Sequence, residues 1–166
     1  MILFIFLFII QGIAEYQGIC GETEEDCHYS LNEETFTLTI GGNGYMTNYT
    51  EEYEAPWSDF TPYIHSVVFT ETIRSIGNYA FTNFLPLKSV TFCESIHIIG
   101  QFAFALTGIT HMIIPDNVET IMNNAFAAAR LISIELPNKM TSINQQAFYN
   151  AHSMKSIKIP DSVTTI

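Results

Sequence analysis

An Ala-Phe pair with Ile four residues ahead of its Ala recurs four times after residue 60. It stands at Ala80-Phe81, Ala103-Phe104, Ala125-Phe126 and Ala147-Phe148, at intervals of 23, 22 and 22 residues. No other feature constrains the fold as strongly. A unit of that length cannot bury its own apolar face and must stack on a copy of itself, so the repeat predicts a solenoid.

Aligned on the pair, the units begin at Ser66, Ser89, His111, Ser133 and Ser156. Their second positions are Val67, Val90, Met112, Ile134 and Ile157, and their fourth are Phe69, Phe92, Ile114, Leu136 and Ile159. Apolar residues at alternate positions predict a short strand with one face inward. Ile73, Ile96, Val118, Met140 and Val163 follow, then Ile76, Ile99, Ile121, Ile143 and Ile166. Leu87, Ile109, Leu131 or Met154 precedes the next strand. Stacked at the strand spacing of roughly 4.8 Å, these side chains are expected to form continuous ladders. Pro115, Pro137 and Pro160 close the strands, because proline lacks the N–H that a ladder requires. Gly77, Gly100, Met122 and Asn144 share one offset, where Gly and Asn suit a left-handed backbone.

Charge divides the chain. Glu15 to Asp59 holds eleven acidic residues and no Lys or Arg, whereas six acidic and six basic residues follow, so the net charge of -11 lies ahead of the repeats. Nucleic acid is disfavoured as a partner, since phosphate binding needs basic clusters. Glu22, Glu24, Glu25 and Asp26 lack an ordered calcium-loop spacing and read as a solvated acidic cap. In that cap, Thr35 to Ile40 alternates, Gly41 to Gly44 is turn-rich, and Tyr45 to Tyr49 is expected to return as the second strand of a hairpin. Trp57, with Tyr53, Phe60 and Tyr63, is expected to seal the first repeat.

The first ten residues are Met followed only by Ile, Leu and Phe. Crossing a bilayer needs roughly 20 apolar residues. The shorter run suits a signal-peptide core, with Gly12 and Ala14 as the small residues ahead of cleavage before Glu15, although no basic residue precedes it. The alternative is a buried amino-terminal strand. In a secreted chain Cys20 and Cys27 could pair and leave Cys93 as a lone thiol; spacing alone does not settle the pairing. Their spacing matches no zinc motif, and the histidines are scattered, so no metal and no cofactor is expected. Asn48-Tyr49-Thr50 is an N-glycosylation acceptor. No nucleophile elbow or metalloprotease motif occurs, and an enzyme is not expected.

The spelling Ile-Pro-Asp-Asn-Val-Glu-Thr-Ile from Ile114, the Ala-Phe pair and the next strand's Ile-Glu-Leu-Pro resemble the BspA-type leucine-rich repeat. The segments around Cys20-Gly21, Phe36 to Gly44 and Ala55-Pro56-Trp57 are similar to the capping region of such proteins. The resemblance implies a mainly β repeat solenoid with an irregular or short helical convex side, behind a hairpin-containing cap. The implied organisation is a signal peptide over 1–14, an acidic cap over 15–65, and a solenoid of four full repeats and one truncated repeat over 66–166. Family members are surface or secreted proteins of bacteria and parasitic protists linked to adhesion, and no catalytic motif comes with them.

Inward second and fourth positions force the first, third and fifth outward, onto the face that a curved repeat makes concave. Val68, Thr91, Ile113, Glu135 and Lys158 then form a row running from apolar to charged, edged by His111 and small hydroxyls. This row is the candidate ligand-binding face. The expected partner is a host or neighbouring-cell surface protein, a matrix protein or a glycan, and the expected location is secreted or cell-surface. The structural alternative is a spacer or coat component. The last unit stops at Val163-Thr164-Thr165-Ile166 without an Ala-Phe pair, so either further repeats or self-association is expected to cover its apolar edge.

Overall fold

The computed structural model describes residues 15–70 and 72–165. The signal-peptide reading and the apolar end at Ile166 lie outside the described residues. What is described is a β-solenoid, and the strands are short, as the prolines require.

The cap opens with β1 (Glu15–Ile19), β2 (His28–Asn32) and β3 (Thr37–Gly41), and the first repeat opens with β4 (Ser66–Phe69). β1 pairs antiparallel with β2, and β2 antiparallel with β3. β3 then pairs parallel with β4, setting Leu38 opposite Val67 and Ile40 opposite Phe69. The hairpin is thus real but made of β2 and β3. Tyr45 to Tyr49 does not return along Thr35 to Ile40; Tyr45 instead bridges in parallel to Ser75 of the next coil. The physical reason lies in the apolar pattern: Leu38, Ile40 and Met46 occupy buried positions equivalent to Val67, Phe69 and Ile76. Residues 37–65 therefore form a divergent first coil, and the antiparallel ribbon β1–β2 covers its outer edge.

Each repeat then turns two sheet corners. β5 (Ser75–Ile76), β6 (Ser89–Thr91), β7 (Ile98–Ile99), β8 (His111–Ile113), β9 (Thr120–Ile121) and β10 (Ser133–Glu135) follow in order. β4 pairs in parallel with β6, β8 with β10, and β5 with β7 and then β9. The Ala-Phe segments make the third side as turns, and no helix forms there among the described residues.

Burial follows the predicted offsets fully in the first and third units; Val90, Phe92, Ile143 and Ile157 are only half-buried, and Ile159, placed inward by the alternation, is 41% exposed because its coil has a neighbour on one side only among the described residues. Val67, Phe69, Ile73, Ile76, Ala80, Phe81 and Leu87 of the first unit are all buried, as are their counterparts Met112, Ile114, Val118, Ile121, Ala125, Phe126 and Leu131 two units on. The Phe rings form one column: centroids from Phe81 to Phe104, Phe126 and Phe148 are 5.3, 5.6 and 5.6 Å apart, with planes within 15°. Trp57 heads it, stacked on Phe81 at 5.6 Å and donating its indole N–H to the Ala80 carbonyl at 2.8 Å. Each ring buried this way contributes on the order of 1.5–3 kcal/mol by leaving water, and each stack adds roughly 0.5–1.5 kcal/mol. Tyr29 and Tyr49 meet Trp57 edge-on. Of the other residues expected to seal the repeat, Tyr53 stacks on Tyr49 and Tyr63 on Phe36, Phe60 meets Tyr16 at a tilt of 51°, and the Tyr53 and Tyr63 rings remain exposed.

The left-handed residues are not where the glycines suggested. Positive φ falls at Tyr79, Phe102, Asn124 and Gln146, and again at Asn83, Leu106, Ala128 and Asn150. These flank the Ala-Phe pair and flip alternate peptides so that their N–H groups face the next coil. Tyr79, Phe81 and Asn83 donate to the carbonyls of Gln101, Ala103 and Ala105, and Phe102, Phe104 and Leu106 donate to Asn123, Ala125 and Ala127. Those bonds offset the cost of a left-handed non-glycine residue, about 1–2 kcal/mol each. Gly77 and Gly100 serve a different end. A Cβ on Gly77 would run into the Thr47 carbonyl, and one on Gly100 into the Asn78 backbone, so both permit coils to approach.

Candidate interaction face

The outward row lies on the wide sheet side. Val68 is half-buried on β4, Thr91 is exposed on β6, His111 and Ile113 are exposed on β8, and Glu135 is exposed on β10. Val68 stands opposite Thr91, Ile113 opposite Glu135, and Glu135 bridges in parallel to Lys158. The registers bring these residues into two contiguous groups, because the described strand pairing is interrupted between β6 and β8.

The same registers extend the row in a direction that the repeat alone does not reveal. Val68 stands opposite Thr39, Thr39 opposite Ser30, and Ser30 opposite Gln17. A parallel line runs through Asn32, Thr37, Ser66 and Ser89, where the Ser89 hydroxyl donates to that of Ser66 at 3.0 Å. The amino-terminal half of the face is thus rich in hydroxyls, and the carboxyl-terminal half carries the imidazole, the carboxylate and the ammonium. The Thr110 hydroxyl lies 2.9 Å from Nδ1 of His111 and orients that ring. Ile113 is the apolar centre of this second half, 67% exposed. Its position makes exposure inevitable, since the inward stations on either side, Met112 and Ile114, are filled and buried.

Cys20 and Cys27 are joined by a disulfide, both buried, and Cys93 is a free, half-buried thiol whose sulfur lies 3.3 Å from the Ser95 hydroxyl. The disulfide closes the acidic loop against the divergent coil: Asn43, Gly44 and Thr47 donate to the carbonyls of Glu25, Asp26 and Cys20. Asp26 turns its carboxylate inward on Thr23, accepting from both the backbone N–H and the hydroxyl. Asn48 is exposed and its Oδ1 accepts from the Asn78 N–H at 2.9 Å. Among the described residues no group of three or more His, Cys, Asp or Glu is arranged to hold a metal, and no helix is long and apolar enough to cross a membrane.

Short parallel strands, one per 22 or 23 residues, with a side-chain column inside and a regular sheet face outside, define a leucine-rich repeat protein. The chain belongs to the BspA-type leucine-rich repeat family, whose model matches residues 59–166 in six copies. Among solved structures it is similar to a leucine-rich repeat protein from Eubacterium ventriosum, at 30% identity and a TM-score of 0.78 over 90% of this chain and 40% of that one. It shares its fold with the T. pallidum leucine-rich repeat protein TpLRR, at 17% identity and a TM-score of 0.53, covering 82% of this chain and 81% of that one. The pneumococcal vaccine antigen PcpA gives the same identity and TM-score over 87% of this chain and 43% of that one. This chain therefore spans less than half the length of the Eubacterium protein and of PcpA. No curated protein matches it. Repeats of this family act in general as interaction modules rather than as catalysts.

Proposed function

We propose that this chain is a secreted or cell-surface recognition module that binds a host or neighbouring-cell surface protein, a matrix protein or a glycan through its sheet face. The observation that carries the reading is Ile113, exposed at a station where the core gains nothing from an apolar side chain and flanked in register by Glu135 and then Lys158. An exposed apolar centre beside charges of both signs suits a desolvated contact with a polar rim. The surface location is supported by membership of the BspA-type family and by the likeness to a protein described as a vaccine antigen.

Binding of residues 15–166 to cell surfaces and extracellular-matrix proteins tests the proposal, beside Glu135→Lys with Lys158→Glu and, separately, Ile113→Ser. Saturable binding lost in both variants is expected. A folded protein that binds nothing, or binds equally well in both variants, rejects the sheet face as the site and favours the spacer reading.

A further inference from the structure

Away from the sheet face, an open groove of about 550 Å³ lies between the cap and the first regular coil. The exposed carboxylates of Glu51, Glu54 and Asp59 line its cap side, and Tyr79, Thr82 and Phe84 line its coil side. No Lys, Arg or His belongs to the lining.

The backbone under the groove carries the same sign. Asn83 donates its N–H to Ala105 of the next coil, and a planar trans peptide then directs the Thr82 carbonyl the opposite way, toward the cap. Leu106 and Ala128 continue that line by donating to Ala127 and Tyr149, so three peptides are aligned head to tail with their carbonyl ends toward the groove. Aligned peptide dipoles leave a partial negative charge at the carbonyl end, as they do at a helix C-terminus. Two neighbouring carbonyls facing the cap already have donors: Asn78 accepts from the Tyr49 N–H, and Ala80 from the Trp57 indole. The Thr82 carbonyl receives no donor among the described residues.

We infer that this groove is a second binding site, for a basic peptide segment of a partner protein, with a Lys or Arg side chain directed at the Thr82 carbonyl and the three carboxylates. The charge of such a side chain is attracted to the half-buried ring of Tyr79, which is itself stacked on Phe102 at 4.9 Å. Charge complementarity selects this occupant, because a peptide of acidic or purely apolar character would leave the carboxylates and the carbonyl without a counterpart. The site is separate from the sheet face, and its test does not depend on that face.

Fluorescence anisotropy with a labelled peptide of Arg, Lys and Leu, and with the same peptide carrying Glu in place of Arg and Lys, measures the interaction. The groove variant Glu51→Gln, Glu54→Gln, Asp59→Asn is compared with a charge-matched variant, Glu22→Gln, Glu24→Gln, Glu25→Gln, on the disulfide loop. Circular dichroism checks that both remain folded, and Glu51→Gln alone serves if the triple variant does not. The expected result is binding of the basic peptide only, weakened about tenfold by the groove variant and far less by the loop variant. Absence of binding, or equal weakening in both variants, overturns the site. Self-association of the protein that the groove variant abolishes would also overturn it, by assigning the groove to a second copy of this chain.

Discussion

The indole of Trp57 lies parallel to the ring of Phe81, their centroids 5.6 Å apart and their planes 13° apart. Trp57 thereby takes the station that Phe holds in each regular coil, and its N–H bond to Ala80 fixes the cap to the repeats. Trp57→Ala is expected to cost about 3–5 kcal/mol, as for other large-to-small changes in a core. Urea unfolding followed by circular dichroism measures it. A cost below about 1 kcal/mol would mean that the repeats hold together without their cap.

Along the column, only neighbouring rings touch. A double-mutant cycle of Phe104→Leu with Phe126→Leu is expected to show coupling of roughly 0.5–1.5 kcal/mol, and one of Phe81→Leu with Phe126→Leu nearly none. Comparable coupling in both pairs would contradict nearest-neighbour stacking.

Tyr49 is buried, and its hydroxyl has no partner among the described residues. Burial raises its pKa well above the ordinary 10.0, with Tyr53 and Tyr29 adding to the shift, and burial also raises that of Tyr29. The folded protein holds these protons where the unfolded chain releases them. Their contribution to stability is therefore complete below about pH 10 and declines above it. Tyr49→Phe is expected to raise stability by about 1 kcal/mol at neutral pH, by removing an unsatisfied buried group, and to flatten the alkaline decline. Urea midpoints at about pH 7, 9 and 11 decide this. A variant less stable than the parent at pH 7 would show that the hydroxyl is satisfied in solution.

Gly77→Ala and Gly108→Ala place a methyl group against the backbone carbonyls of Thr47 and Leu85. Backbone of an adjacent coil cannot yield as a side chain does, so each is expected to cost about 1–3 kcal/mol. Gly18→Ala is the comparison, since its methyl group meets only the Tyr29 ring, which can shift. Thermal melts of the three variants should separate the first two from the third.

The disulfide closes a loop with a sequence separation of 7. Chain-entropy arguments for so short a loop give a stabilisation of roughly 2–3 kcal/mol. Replacing Cys20 and Cys27 together by Ser should lower the urea midpoint accordingly, while Cys93→Ser should have a much smaller effect.

The repeat made the core legible, because stacking imposes like burial on copies enclosed on both sides: Ile76, Ile99 and Ile121 needed no further information, whereas Ile143 and Ile159, nearer the open side, are half-buried and exposed. The outward row followed from the same alternation. The cap was less legible. Thr37-Leu38-Thr39-Ile40 has the strand pattern of Ser66-Val67-Val68-Phe69, but the offset of 29 residues exceeds the repeat period, and a local turn signal at Gly41 to Gly44 competed with the distant pairing. Hence Thr39 and Ser30 were absent from the predicted face. Left-handed turn positions were also misplaced, since Gly suggested one offset while the repeat uses Asn83, Asn124 and Asn150 elsewhere. The groove combines backbone polarity with residues nearly thirty positions apart, and no periodic pattern announces it.

The switch from antiparallel to parallel pairing at β3 gives the molecule a direction of growth. Beyond that strand, every coil presents its successor with the surface that it received from its predecessor, so a 22- or 23-residue cassette can be duplicated or removed with each column kept in line. The ribbon β1–β2 offers no such surface, and gains or losses of length by tandem exchange are confined to the side of the repeats.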